Sequence, residues 1–140
     1  MSYNPIIVWL LYSRFHRMLS GVTMVINYTG RRSGKVYRLP VGYSRAGDNL
    51  LTTSFKHRKW WRNLRGGANV TLRLQGKDVK ARSEVVEDPQ GVMEGIEAFI
   101  RSDPRARRMF GMKLGKNGQP DVESLRQAAK NRVIVRTTLL

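Results

Sequence analysis

At 140 residues, 41% of them hydrophobic, the chain is about one globular domain with room for one core, and its net charge of +16 does not make it a disordered tail. It has no cysteine, which excludes disulfides, thiolate metal sites and a cysteine nucleophile and fits a cytoplasmic protein. The charge is segregated: residues 1 to 77 carry 14 lysines and arginines against Asp48 alone, while residues 78 to 140 carry 12 against 9 acids, so the N-terminal half is the one suited to polyanions.

The first residues hold an apolar run from Ile6 to Tyr12 that is too short to span a bilayer. Arg14 and Arg17 follow it instead of preceding it, unlike a secretory signal, and Pro5 suits a first helical turn. A helix over about residues 5–19 is expected. It either packs on the domain or lies at an acidic membrane face with Trp9 and Phe15 among the headgroups.

Downstream, "VTMVINY" and "KVYRLPVGY" are strand-like and flank "TGRRSGK", residues 29 to 35, giving a hairpin with a basic loop. Pro40 cannot donate to a ladder and marks an edge or a bulge. "AGDN" reads as a turn and "LLTTSF" as the next strand. "KHRKWWRNLRGG" reads as a short helix stopped by glycines, and "VTLRLQ" and "VKARSEVVE" alternate as two strands around a turn at Gly76-Lys77. Asp88-Pro89 starts a helix whose apolar stripe is Val92, Ile96, Phe99 and Ile100, Asp103-Pro104 starts a shorter one, and "DVESLRQAAKNR" is a third. "VIVRTTLL" closes the chain as a strand. These elements predict a single mainly antiparallel β domain, residues 1–140, with helices over about 89–130 inserted before the last strand.

Side-chain catalysis finds little support. His16 and His57 are the only histidines, no His/Asp/Glu cluster has metal-ligand spacing, and "GRRSG" has too few residues between its glycines for a phosphate-binding P-loop. An enzyme on this chain would need a cofactor to bring the chemistry. The basic loop offers turn amides, the Ser33 hydroxyl and two guanidinium forks, all donors to an anion. A second basic segment brings Lys56, Arg58, Lys59, Arg62 and Arg65 beside Trp60 and Trp61. Basic groups with flat aromatic faces suit a phosphate-bearing ring ligand, and they also suit single-stranded nucleic acid.

The run from Tyr28 to about residue 86 resembles the deazaflavin-dependent nitroreductase family of flavin/deazaflavin oxidoreductases. The resemblance rests on Thr29-Gly30-Arg31-Arg32-Ser33-Gly34, Pro40, Gly47-Asp48, the strand end Thr53 to Lys56, Trp60-Trp61-Arg62-Asn63-Leu64 and "ANVTLRL", in that order. It implies a split β-barrel and the cofactor coenzyme F420, a deazaflavin with a phosphodiester and a tail of glutamates that would account for the segregated charge. It also implies that Arg31, Arg32 and Ser33 hold the phosphate end, that Arg38, Leu39, Pro40, Val41 and Gly42 run along the cofactor with Thr53, Ser54 and Phe55, that Lys56 supplies a cation, and that Trp60 and Asn63 border the groove. The activity implied is hydride transfer between reduced F420 and a small electrophilic organic substrate, in the cytoplasm or at the inner membrane face.

The sequence departs from the pattern in four places, one of them the segment between the strand end at Lys56 and Trp60, which is shorter than the family's by about four residues and has lost its glycines. The family's strand arginine falls on Tyr37, with Arg38 next to it; Gly42 stands where an aromatic would face substrate, with Tyr43 adjacent as the candidate for that contact; and "RMFGMKLGKNG" has no tyrosine where the nitroreductases are rich in them, which points away from nitroreduction itself. The alternatives are an FMN-dependent split-barrel oxidoreductase and a non-enzymatic module for nucleic acid or acidic membrane. Nucleic acid is the less favoured partner, and a homodimer is compatible with the reading.

Overall fold

The computed structural model describes residues 23–112 and 121–140; the expected helix at 5–19 lies outside them. The described residues form one antiparallel sheet of seven strands, β1 (Thr23–Thr29), β2 (Val36–Gly42), β3 (Ser44–Ala46), β4 (Asn49–Phe55), β5 (Ala68–Leu74), β6 (Lys77–Val86) and β7 (Arg132–Leu139). Two α-helices, α1 (Pro89–Ser102) and α2 (Val122–Ala129), and short 3₁₀ turns at Trp60–Leu64 and Pro104–Arg107 complete it. The spatial order is β2-β1-β5-β6-β7-β4-β3, so the last strand of the chain enters between β6 and β4.

Alternation along the strands sorts two cores. Met24, Ile26 and Tyr28 of β1, Leu39 and Val41 of β2, Leu50 of β4, Leu72 of β5 and Val133 and Val135 of β7 face the inside of the curled sheet, with Trp60, Trp61 and Leu64 filling it. Leu51 and Ile134 point the other way and are covered by Val92, Ile96, Phe99 and Ile100 of α1 and by Leu125, Ala128 and Ala129 of α2. The expected α1 stripe is therefore the buried one. Its start is as expected too: the Asp88 carboxylate accepts the Gly91 N–H at 2.7 Å, satisfying one of the orphan donors of the first turn. Asp121 caps α2 by accepting the Ser124 N–H at 3.2 Å.

Two expectations about turns are corrected. The β5–β6 turn is Gln75-Gly76, not Gly76-Lys77: Lys77 pairs with Leu74 as the first residue of β6, and both turn residues have positive φ, 49° and 81°. This is the turn whose twist matches that of the flanking strands, and it keeps Leu74 on the inner face. The segment expected as one strand through Tyr43 breaks after Gly42; Ser44–Ala46 forms a separate short strand on β4, joined to it by Gly47-Asp48 with Gly47 at φ 62°.

Helix α1 packs tightly because it carries Gly95 against β7. A Cβ at Gly95 would meet Ile134 Cγ1 at 2.6 Å, and Ile134 is itself fully enclosed. Replacing a helical glycine by alanine ordinarily gains about 1 kcal/mol, whereas forcing a methyl into a packed core costs about 1–3 kcal/mol. With a branched, buried neighbour the second term wins, so Gly95→Ala is expected to lower the unfolding free energy by about 1 kcal/mol. Urea denaturation of the two proteins checks this, and a stabilised variant would refute the packing argument.

Candidate active site

The basic hairpin loop is built from the inside out. Gly30 N–H donates to Lys35 O at 2.8 Å and Gly34 N–H to Gly30 O at 2.9 Å, with Gly34 at φ 71°. Gly30 admits no side chain: a Cβ there would meet the Tyr37 ring at 2.8 Å and Ser33 Oγ at 2.9 Å. The Ser33 hydroxyl accepts the Lys35 N–H and lies 3.2 Å from the Tyr37 hydroxyl. Tyr37 in turn stacks on Tyr28 with ring centroids 5.5 Å apart. Burial, and then the neighbouring Tyr37, push the Tyr28 hydroxyl up to about 12, so Tyr28 stays neutral.

Asn63 ties the loop to the tryptophan turn. Its side-chain oxygen accepts the Arg31 N–H at 2.9 Å, and its amide nitrogen donates to Trp60 O at 3.0 Å. Trp60 and Trp61 are both buried, so both tryptophans belong to the core. Trp60 Nε1 donates to Ser54 Oγ at 3.0 Å and Trp61 Nε1 to Phe55 O at 3.3 Å. Arg62 and Arg65 stack on Trp61, and Arg65 forks onto Glu87, so these two basic residues of the segment are engaged within the protein. Arg31, Arg32, Lys35, Lys56, Arg58 and Lys59 have no carboxylate partner among the described residues.

A cleft of about 390 Å³ opens beside this loop, lined by Leu39, Pro40, Val41, Gly42, Thr53, Ser54, Phe55, Arg58, Trp60, Met109 and Arg132. It lies where β2 and β4 approach without pairing, at the split in the barrel. The ladder fixes what the two edges present. Gly30 and Lys35 form a hydrogen-bonded pair, so by alternation Tyr37, Leu39 and Val41 bond to β1 while the backbone groups of Arg38, Pro40 and Gly42 turn toward the cleft. Pro40 lacks an N–H at a position where the ladder needs none, which is why an edge proline fits here. On the other side Lys56 N–H donates to Asn131 O at 2.8 Å, so the backbone groups of Thr53 and Phe55 turn away from β7 toward the same gap.

The β1–β2 register runs unbroken from Thr23↔Gly42 to Thr29↔Val36, so no bulge moves Arg38. Tyr37 shares the inner face with Leu39, and Arg38 sits on the outer one. Leu39, Pro40, Val41, Gly42, Thr53, Ser54, Phe55 and Trp60 are brought together in the cleft; Arg31, Arg32, Ser33 and Asn63 form the loop end; Lys56 follows β4 on the exposed surface. Tyr43 is buried and lines a separate depression with Ser44, Arg45, Gln75, Ser102, Asp103 and Arg105, away from the cleft. Met109 and Arg132 were not legible as site residues. They come from the helical segment and the last strand, and nothing in their local sequence marks them.

The fold and the split-edge cleft define a class, the split β-barrel proteins. The chain belongs to the F420H(2)-dependent quinone reductase family, whose sequence profile matches residues 13–93, and it is accordingly an oxidoreductase that uses coenzyme F420. No curated protein sequence matches it. Among solved structures it is similar in fold to the FAD- and haem-binding protein from Mycobacterium smegmatis, with 15% identity over 91% of this chain and 71% of that one and a TM-score of 0.52. It is also similar to the general stress FMN/FAD-binding protein from Xanthomonas citri, with 16% identity over 92% and 83% of the two chains and a TM-score of 0.51. A third structure, solved as a domain-swapped dimer, gives 12% identity over 96% and 99% and a TM-score of 0.54. Among the described residues no helix is long and apolar enough to cross a membrane.

The two Asn63 hydrogen bonds join elements 32 residues apart in sequence to the same amide. Asn63→Ala is expected to cost about 1–2 kcal/mol of stability, and it should raise the protease sensitivity of the Gly30–Lys35 loop more than that of the strands. Unchanged cleavage of the loop would show that Asn63 does not hold it.

Proposed function

We propose that the cleft and its loop form one extended site for the cofactor, the ring along the split and the phosphate on the loop, and that the chain transfers hydride between reduced F420 and a small electrophilic ring substrate. The observation that carries this reading is the gap between β2 and β4, where two strand edges present backbone donors and acceptors on either side of an apolar slot, near a loop whose cations have no carboxylate partner among the described residues.

The residues fit such a group. A planar ring with a polar rim needs a slot with hydrogen-bonding edges, and the backbone groups of Arg38, Pro40 and Gly42 on one side and of Thr53 and Phe55 on the other supply them. Leu39, Val41 and Trp60 exclude water from one side of the slot. Arg31 and Arg32, with the amides of a loop stiffened by Ser33, Tyr37 and Asn63, would hold the phosphate, while Lys56, Arg58 and Lys59 supply positive charge for a carboxylate-rich tail. When bound, the deazaflavin supplies the hydride. Among the described residues the cleft is lined by no Asp, Glu or His, and the role of these residues is to orient and desolvate the reactants.

Titrating the fluorescence of F420 with the protein tests the reading. Saturable micromolar binding is expected, with FMN a poor competitor. Arg31→Ala combined with Arg32→Ala should weaken binding by about ten- to a hundredfold, since each charge-assisted contact is worth about 1.5–3 kcal/mol and part is recovered by neighbouring cations. Binding that is absent in the parent protein, or unchanged in the double variant, would overturn the site. A homodimer is proposed on the weaker support of the fold relative solved as a domain-swapped dimer; light scattering at micromolar concentration should then give twice the 16.1 kDa chain mass.

A further inference from the structure

We propose that Arg132 is the residue that recognises the reducible substrate, by pairing its guanidinium with a ring oxygen, and that it gives the site a preference for flat apolar rings carrying a carbonyl or anionic oxygen. The inference rests on the cleft being the hydride-transfer site.

Arg132 opens β7 and faces Phe55 across the β4–β7 ladder. Its guanidinium lies 4.7 Å from the Phe55 ring centroid and 5.3 Å from that of Phe110, held by aromatic groups on both contacts. Two of its five N–H donors are spoken for, Nη1 donating to Ala128 O at 3.0 Å and Nη2 to Met109 O at 3.4 Å. Among the described residues no carboxylate pairs with it, and burial lowers its pKa below the ordinary value while leaving it cationic at any physiological pH. A half-buried arginine with carbonyl partners, aromatic neighbours and no carboxylate beside it among the described residues keeps most of its charge for something else.

The surroundings say what that is. Arg132 lines the cleft next to Phe55 and Met109, which are 41% and 52% exposed, the large apolar side chains that a ring would cover. Arg58, the other cation in the cleft, is exposed, so water screens it. Arg132 is thus a fixed, partly desolvated positive charge beside an apolar wall. A quinone that accepts a hydride becomes a hydroquinone anion, with the charge on oxygen, until a proton from water neutralises it. A pre-positioned guanidinium at that oxygen stabilises charge that appears only as the reaction proceeds.

The experiment uses the full chain saturated with cofactor, and Arg132→Gln and Arg132→Lys. With 1,4-naphthoquinone as acceptor, Arg132→Gln should lose about a hundredfold in kcat/KM, mostly in kcat, while its F420 affinity stays within about twofold; Arg132→Lys should recover part of the loss. A second readout needs no turnover: with oxidised cofactor present, tryptophan fluorescence should show 2-naphthoate binding at least about tenfold more tightly than 2-naphthamide, a preference that Arg132→Gln abolishes. Retained kcat/KM in Arg132→Gln, or a loss of cofactor affinity in step with activity, would overturn the proposal in favour of a structural role. Should Arg132→Gln fail to fold, equal affinity of the parent protein for the two naphthalenes would overturn it alone. Absent F420 binding in the parent protein would instead defeat the cofactor site, and the naphthoate preference of the cofactor-free chain would still report on Arg132.

Discussion

Everything at the site depends on two strand edges that face each other without pairing. β7 enters the sheet between β6 and β4, which leaves β2 and β4 on opposite sides of a gap, and β3 is only three residues long, so it covers β4 at Asn49–Leu51 and stops. Backbone N–H and C=O groups at such edges seek partners, and proteins usually blunt or cover them. Here the edges line a slot whose sides are Leu39, Val41 and Trp60, so the sheet presents a ligand with the polar pattern it would otherwise present to another strand.

The loop at one end of the slot follows from the same hairpin. β2 must turn back on β1 after Thr29, and the turn is held by Gly30, Gly34, Ser33 and the Tyr37 ring, with Asn63 fastening it to the core beneath Trp60. The charged side chains of Arg31, Arg32 and Lys35 pair with no carboxylate among the described residues. That separation, with small and neutral groups holding the loop and arginines left over, is what distinguishes this loop from Arg62 and Arg65, which the fold uses to cover Trp61 and to pair with Glu87.

The electrostatics divide along the same line. Acids pair locally in the C-terminal half, as in Arg101 with Glu97 and Arg126 with Glu123, where helix geometry brings residues three or four apart together. The half that builds the slot has Asp48 as its one acid through residue 77, and Arg31, Arg32, Lys35, Lys56, Arg58 and Lys59 in it have no carboxylate partner among the described residues. A coenzyme with a phosphate and several carboxylates, bound as proposed, would meet a matching field there, which is a long-range effect and needs no individually strong contact.

Much of this was legible in the chain itself. The basic loop, Pro40 as an edge residue, the α1 stripe and the cap at Asp88 are local properties, since backbone dihedrals, alternation and capping depend on residues within a few positions of one another. Alternation also showed that Arg38 and Tyr37 face opposite ways, though only the unbroken β1–β2 register excluded a bulge. What tertiary structure alone decided is which distant segments meet. That both tryptophans are core, that Asn63 fastens the loop, that Tyr43 turns to another depression, and that Met109 and Arg132 reach the cleft all depend on where β7 enters the sheet. Insertion of the last strand is settled by burying Leu51 and Ile134 under the helices and Val133 and Val135 inside the curl at the same time, a choice made by the whole core and written in no single stretch of sequence.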